Sequence, residues 1–214
     1  NGFVETMLTE ADPEQAQGRD LRVRDILDVA SAELKSANLS PGATARLHQV
    51  LGVTWLGLGD GARSRAAFED ALRVETSPSM LRDELLLGRA RSAIAAGDYE
   101  AGEKELAGLR SRHAQLTPSL RIAMEESAAE LLRETGKQKE AIVALRALLP
   151  EARKALGVDA QRTLGLQLQL ASALQLDGDY EAALAESRDA VARHARVFGE
   201  RHPQTLYAWN QLGV

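Results

Sequence analysis

Apolar and polar residues alternate along most of this chain with the spacing of amphipathic α-helices. Leu51 and Trp55 lie four residues apart on one helical face, and Phe68 and Ala71 lie on one face of the following stretch. Gly59 stands between the two stretches, where a glycine can end a helix in a left-handed conformation. The pattern therefore predicts two antiparallel helices joined by a tight turn.

This glycine turn recurs three more times, with steps of 38, 39 and 42 residues. Each turn follows one Ala/Leu-rich helical stretch and precedes another; the four turns are Gly59-Asp60, Gly97-Asp98-Tyr99, Gly136-Lys137 and Gly178-Asp179-Tyr180. A period of this length indicates stacked helical hairpins that cannot bury their apolar faces alone. The expected fold is all-α, a right-handed superhelical solenoid of antiparallel hairpins with about four complete repeats and a partial fifth.

The predicted organisation is a lead-in over residues 1–42 followed by a repeat array over residues 43–214. The units of the array are expected at residues 43–78, 79–117, 118–156, 157–198 and, incomplete, 199–214. Gly18 precedes Gly59 by 41 residues, so residues 19–37 are interpreted as the second helix of a degenerate half-unit. Five of the six prolines are expected between units or at helix starts, where a missing N–H does little harm: Pro41, Pro78, Pro118, Pro150 and Pro203.

The first unit resembles the tetratricopeptide repeat family, whose pattern is met by Leu51, Gly52, Trp55, Gly59, Asp60, Phe68 and Ala71. Ser64 departs from the family's usual alanine, Arg89 takes a normally apolar place, and Lys137-Gln138 replaces Asp-Tyr. The last third resembles the kinesin-light-chain-type variant, because residues 157–164 recur 42 residues later as Gly199-Glu200-Arg201-His202-Pro203-Gln204-Thr205-Leu206. The resemblance implies a protein-interaction fold with Trp55 and Trp209 in the repeat core.

The segment Phe3–Asp28 resembles the region that precedes the repeats in bacterial receptor-type Ser/Thr protein kinases. In those proteins a kinase domain and one membrane helix come first, and the repeats lie outside the membrane. The resemblance therefore implies an extracytoplasmic or periplasmic location, and without it a cytoplasmic one is expected. The chain begins at Asn1 and stops at Val214 inside an apparent helix, so we interpret it as a piece of a longer protein.

The composition of the chain argues against several kinds of binding and catalytic site. The net charge of -5 and the absence of any Lys/Arg-dense stripe argue against nucleic-acid binding, and the absence of Cys excludes thiolate zinc sites and thiol nucleophiles. No kinase motif is present, no apolar run is long enough to span a membrane, and His48, His113, His194 and His202 lack metal-ligand spacing. No catalytic residue, cofactor or metal is expected. Glu125, Glu126, Glu130 and Glu134 are interpreted as a solvated or groove-lining face.

In this family the first helix of each hairpin lines the binding surface, so its exposed positions are the candidate contacts. They are Arg46, Gln49, Val53, Glu84, Leu87, Arg91, Glu126, Glu130, Arg133, Leu168, Ser172, Gln175 and Asn210. Mixed charges and amides suit an extended peptide, whose backbone needs donors and acceptors along its length. The functional hypothesis is a non-catalytic interaction or sensor module of a larger bacterial signalling protein, binding a protein or peptide. The alternative is a structural scaffold or a homodimerisation segment.

Overall fold

The computed structural model describes residues 23–212, apart from the side chains of Lys35, Gln211 and Leu212. In that range the chain forms ten α-helices and one short 3₁₀ turn, and no strand. The helices are α1 (Val23–Ser36), α2 (Pro41–Gly57), α3 (Gly61–Val74), α4 (Met80–Ala95), α5 (Tyr99–Arg110), α6 (Pro118–Glu134), α7 (Gln138–Leu156), α8 (Gln161–Asp177), α9 (Tyr180–Phe198) and α10 (Pro203–Leu212). The all-helical prediction is confirmed. The kinase-like resemblance falls mainly on residues 1–22, outside the described range, and so does Pro13.

The four glycine turns form as the sequence predicts. Gly59, Gly97, Gly136 and Gly178 have φ angles of 75°, 79°, 76° and 87°, the left-handed region that a Cβ atom makes costly. Three of the four second helices then begin on an aspartate whose side chain accepts a hydrogen bond from a first-turn N–H, as Asp60 does from Arg63 at 3.0 Å. Lys137 replaces aspartate in the third turn and makes no such bond.

The placement predicted for Pro150 is wrong. Pro41, Pro118 and Pro203 start helices, but Pro150 lies inside α7. A proline in a helix interior removes one backbone hydrogen bond and costs about 3 kcal/mol. The helix continues because Leu148, Leu149 and Ala152 around the proline are buried in the core, whereas the proline itself is exposed.

The chain divides into two compact units, residues 1–105 and 106–214. In the first unit Phe68 of α3 is 1% exposed and packs with Ala45 and Leu85. A Cβ atom at Gly52 of α2 would lie 2.7 Å from Phe68 Cε2, and one at Gly88 of α4 would lie 2.2 Å from Phe68 Cε1. The two glycines therefore admit the ring between the first helices of successive hairpins.

A buried hydroxyl pair lies close to this ring. Ser64, which departs from the family's alanine, approaches the Gly52 carbonyl oxygen at 2.7 Å and the Ser92 hydroxyl at 2.6 Å, while Ser92 approaches the Gly88 carbonyl oxygen at 2.8 Å. The two hydroxyl groups have two protons to donate and make three oxygen–oxygen contacts, so only two of the three contacts can be hydrogen bonds at any one time. Ser64 thus fills a small-residue position and adds a polar link between α3 and α4.

In the second unit α6, α7, α8 and α9 share one apolar cluster that includes Ile122, Leu145, Leu166 and Ala183. Helix α10 packs on α9 and α8, and Ala208 joins Leu168, Ala190 and Val191 in a smaller cluster. The core position predicted for Trp209 on α10 is wrong. Trp209 is 39% exposed, whereas Trp55 in the first unit is 2% exposed, because the structure describes no helix after α10 that could cover it.

Candidate functional site

The candidate positions fall into two sets when the hairpins are aligned on their turn glycines. Six residues before the glycine stand Val53, Arg91, Glu130 and Ser172; we call these the outer positions. Val53 is 59% exposed, Arg91 and Glu130 are exposed, and Ser172 is half-buried. Ten residues before the glycine stand the bridging positions, Gln49, Leu87, Glu126 and Leu168. The structure places these two sets in different surroundings.

In the first unit the bridging residue Gln49 links α2 to α4. Its Nε2 donates to Glu84 Oε2 at 3.0 Å, and Arg46 Nη1 donates to the same carboxylate oxygen at 3.2 Å. Arg46 Nη1 also donates to Gln49 Oε1 at 3.1 Å, which closes the triangle. Three candidates predicted separately therefore form one polar cluster between successive first helices.

In the second unit the bridging residue Glu126 links α6 to α8 in the same way. Gln169 Nε2 donates to Glu126 Oε1 at 2.8 Å, and the Arg162 guanidinium forms an ion pair with Glu126 Oε2. The Glu126 side chain is 16% exposed. Because its oxygens are occupied by neighbours on the next first helix, Glu126 has little capacity left for a ligand.

The exposed placement predicted for Leu87 and Leu168 is wrong, since both side chains are 5% exposed. Leu168 packs with Ala208 on the next first helix, so an apolar contact takes the place of the polar bridges made by Gln49 and Glu126. The physical reason is geometric: the position ten residues before the glycine faces the neighbouring hairpin. Its residue joins adjacent repeats and is removed from the candidate surface.

Two of three further candidates keep their exposure. Gln175 on α8 and Asn210 on α10 are exposed, and Arg133 on α6 is half-buried with Nη2 3.3 Å from Glu134 Oε1. An ion pair between adjacent residues at the surface has a small energy and is easily exchanged. Arg133 is thus accessible to a ligand. Each unit has its own first-helix surface, which we define as Val53 and Arg91 in the first unit and as Glu130, Arg133, Ser172 and Gln175 in the second.

Arg162 and Gln169 are the residues that sequence reasoning missed. A polar stripe was readable on α8 at Arg162, Gln169, Ser172 and Gln175, with helical spacings of seven, three and three. Placing Leu168 on the exposed face shifted this stripe by one residue. The sequence did carry a signal for the burial of Leu168, namely its apolar side chain, because a leucine inside an Ala/Leu-rich helix is more often buried than exposed.

The carboxylates near this surface are paired. Glu125 accepts from Arg110 at 2.6 Å, and Glu130 also has a partner. Elsewhere, the hydrogen bond from the Arg65 guanidinium holds the pKa of Asp98 below its ordinary value. The hydrogen bond from Arg193, followed by that from Gln167, lowers the pKa of Asp189. Lowered pKa values of this kind favour ionised structural carboxylates over general acids near neutral pH.

The His202 ring stacks on the Phe198 ring with their centroids 5.0 Å apart, and His202 Nδ1 accepts a hydrogen bond from the Gln204 N–H at 3.2 Å. Among residues 23–212, no group of three or more His, Asp or Glu side chains is arranged to hold a metal ion. Within the same range, every helix is too short or too polar to cross a membrane.

Residues 163–204 match the sequence model described as tetratricopeptide repeat. No curated protein matches the chain in sequence. A crystal structure of Podosopora anserina putative kinesin light chain nearly identical TPR-like repeats, in its Q17M form, matches with a TM-score of 0.61 and 19% identity, covering 91% of this chain and 94% of that one. The same repeats without that substitution match with a TM-score of 0.57 and 18% identity, covering 92% and 95%.

A Rap protein complexed with Competence and Sporulation Factor matches with a TM-score of 0.68 and 13% identity, covering 88% of this chain and 57% of that chain. This chain thus spans a little over half the length of the Rap protein. At such identities these likenesses establish the fold alone. Tetratricopeptide repeats typically serve as protein-interaction modules. The chain has the tetratricopeptide-repeat fold, and its fourth hairpin, α8 and α9, carries the sequence pattern of that repeat family.

Proposed function

We propose that this protein captures an extended polypeptide on the first-helix surface of its hairpins and performs no chemistry on it. The observation that carries the proposal is positional. Within each unit the outer positions place one residue in each of two successive hairpins at the same phase: Val53 and Arg91 in the first unit, and Glu130 and Ser172 in the second. Of these, Val53, Arg91 and Glu130 are exposed. Successive contacts of this kind suit a chain that runs across repeats.

The side chains match the chemistry of a peptide. Ser172 and Gln175 offer hydroxyl and amide groups to peptide N–H and C=O groups, and Val53 offers an apolar contact. Arg91 and Arg133 can donate to carbonyl or carboxylate oxygens. The Rap protein supports a polypeptide as ligand only as an analogy, because its complex is described for that protein and not for this chain.

The expected affinity is moderate. Each hydrogen bond that replaces a water contact contributes about 1 kcal/mol net, and a micromolar complex needs about 8 kcal/mol in total. A small set of polar and apolar contacts is sufficient for that value. Mixed charges predict a mild loss of affinity with added salt, not the steep loss typical of phosphate recognition.

The proposal is tested by affinity capture from the source cell with Arg91 and Arg133 both changed to Ala. A matched control changes Arg73 and Arg188, exposed arginines on the second helices α3 and α9. Partners retained by the wild type and by the control variant, but lost by the Arg91→Ala/Arg133→Ala variant, support the proposal. Partners lost only by the control variant place binding on the second helices and refute it.

We further propose that the module belongs to a bacterial signalling protein, with a Ser/Thr kinase domain preceding it. The resemblance of Phe3–Asp28 supports this context. Sequencing the whole gene tests it, since a kinase domain and an apolar run of about 20 residues should lie upstream. Further repeats without a kinase domain would overturn this context and leave peptide capture untouched.

A structural role is the second candidate, favoured by the apolar surface of α10. Leu206 is 56% exposed, Tyr207 57% and Trp209 39%. In such a role this surface joins the next repeat or a second copy of the chain. Light scattering across a concentration series distinguishes the candidates, since a dimer that dissociates on Trp209→Ser supports the structural role.

A further inference from the structure

Arg91 is the unpaired arginine of the first helices within residues 23–212. The other arginines of α2, α4, α6 and α8 each donate a hydrogen bond to a neighbouring residue or form an ion pair with one: Arg46, Arg82, Arg89, Arg121, Arg133 and Arg162. The exposed guanidinium of Arg91 makes neither contact in that range. A guanidinium presents its N–H donors in a planar fork that matches a carboxylate. Arg91 is therefore available to an acidic group of a ligand.

The carboxylate of Glu84, seven residues earlier on the same face of α4, does not neutralise Arg91. Its Oε2 accepts hydrogen bonds from Gln49 Nε2 at 3.0 Å and from Arg46 Nη1 at 3.2 Å. Seven residues also separate two side chains by about 10 Å along a helix. The positive charge of Arg91 is thus directed to solvent.

The bridge between α2 and α4 also gives the distance from Arg91 to α2. Arg46 and Glu84 are at equivalent positions, thirteen residues before the turn glycine of their hairpins, and their side chains are in contact. Val53 and Arg91 are both seven residues further along, which is two helical turns and the same face. Contacting helices lie about 8–10 Å apart, axis to axis. Val53 and Arg91 are therefore neighbours across about that distance.

Helix α2 offers an aliphatic contact beside Arg91. Val53 is 59% exposed, and Val50, one turn earlier, is 60% exposed. Gly57, one turn later, is exposed, and a Cβ atom added there would meet nothing within 4 Å. An aliphatic side chain of a ligand can therefore rest on the two valines without displacing a protein group.

The distance between the two contacts selects a peptide conformation. A polyproline II segment has three residues per turn and rises about 3.1 Å per residue, so every third side chain returns to the same face after about 9 Å. In a β-strand every second side chain returns after about 7 Å. The polyproline II repeat fits the separation of Val53 and Arg91, and the β-strand repeat is too short.

We propose that the first unit selects a polyproline II-like peptide segment with an acidic residue three positions from an aliphatic one. The Asp or Glu binds Arg91, and the aliphatic residue rests on Val50 and Val53. The charge of Arg91 names the acidic residue, and the exposed valines name its aliphatic companion. This inference rests on the proposed function and adds the class of peptide that the first unit takes.

The second unit does not repeat this pair of contacts. The positions that correspond to Val53 and Arg91 hold Glu130 and Ser172, a carboxylate and a half-buried hydroxyl. Neither side chain carries a positive charge. The preference for an acidic residue beside an aliphatic one therefore belongs to the first unit, and the two units read different parts of a ligand.

Selection from a display library tests this inference on the full chain. Random peptides of about twelve residues extend over about 37 Å in polyproline II, enough to cross both first helices of the unit. The wild type should enrich peptides with Asp or Glu three positions from Leu, Ile or Val, in either order. Arg91→Glu should replace the acidic residue by Lys or Arg at the same spacing, which a merely structural role of Arg91 would not do. Arg73→Glu, at an exposed arginine of the second helix α3, is the matched control and should keep the wild-type motif.

Fluorescence anisotropy with one enriched peptide measures the contact. Changing the acidic residue of the peptide to its amide, or Arg91→Gln in the protein, should each weaken binding about fivefold, and both changes together should weaken it no further. Enriched peptides that lack this pair, space it two residues apart, or keep their acidic residue with Arg91→Glu would refute the inference and leave peptide capture intact. No enrichment over an empty support would refute the proposed function itself.

Discussion

Replacing Gly88 by Ala should destabilise the protein, although the same change at an open helical glycine should stabilise it. Gly88 lies in the interior of α4, where alanine is favoured over glycine by about 1 kcal/mol. The added Cβ atom, however, would lie 2.2 Å from Phe68 Cε1 and 2.3 Å from Phe68 Cζ. Carbon atoms in contact lie about 3.5–4.0 Å apart, so the ring must move by more than 1 Å.

The ring is buried and lies close to a second glycine on its other edge. On its other edge, Phe68 Cε2 lies 2.7 Å from the place a Cβ atom of Gly52 would occupy, and the ring is 1% exposed. Overpacking of a core typically costs about 1–3 kcal/mol, and an overlap of more than 1 Å with a buried ring belongs to the upper part of that range, about 2–3 kcal/mol, against a gain of about 1 kcal/mol in helix propensity. The net loss is expected at about 1–2 kcal/mol. For a chain of this size that corresponds to a fall in Tm of about 2–8 °C.

Urea unfolding followed by far-UV circular dichroism measures this loss. Gly165→Ala is the control, because Gly165 lies in the interior of α8 with no atom near the added methyl group, and it should stabilise the chain by up to about 1 kcal/mol. Phe68→Leu should restore part of the stability of Gly88→Ala, with a coupling free energy of about 1 kcal/mol or more. Stabilisation by Gly88→Ala equal to that by Gly165→Ala would refute the steric argument.

Three further predictions concern the aromatic ring, a turn and a carboxylate. Phe68→Ala should cost about 3–5 kcal/mol and should speed hydrogen exchange first in α2, α3 and α4; uniform exchange along the chain would contradict local coupling. Gly136→Val should cost about 1–2 kcal/mol because φ is 76° there while space is open, and an unchanged Tm would count against the turn assignment. Hydrogen bonds from Arg193 and Gln167 lower the pKa of Asp189 in the folded protein. Ionised Asp189 therefore adds to the free energy of unfolding above its unfolded pKa of about 3.9, and this contribution is lost as the pH falls through the folded pKa. Asp189→Asn should make the urea midpoint depend less on pH between about pH 4 and pH 2. An unchanged pH profile would show that this carboxylate does not contribute to stability.

The hairpins were predictable because their signals are local. A glycine with positive φ and an aspartate that caps the next helix are determined by neighbours in sequence, as at Gly178 and Asp179. Pro150 was misplaced because burial of the leucines before it outweighs the local cost of the proline. Trp209 was misplaced because its core position requires a neighbouring helix that the described residues do not contain.

The surface was less predictable because it depends on contacts between hairpins. Glu126 looks like a free carboxylate in the sequence, and only the packing of α6 on α8 brings Arg162 and Gln169 to it from 36 and 43 residues away. Leu168 is buried by a different inter-hairpin contact, its cluster with Ala208 of α10. The exposure of Arg91, an outer position, was predictable because it follows from helical periodicity alone.

The ring of Phe68 has a consequence for recombination between repeats. Its space is provided partly by Gly88, which belongs to the next hairpin, so the two hairpins are matched to each other across their boundary. If the hairpin containing Phe68 were spliced in front of the hairpin that begins at α6, the ring would meet Ser127 where it now meets Gly88. The order of these two modules is therefore encoded in their sequences, and a shuffled gene would need a compensating glycine in whichever hairpin follows Phe68.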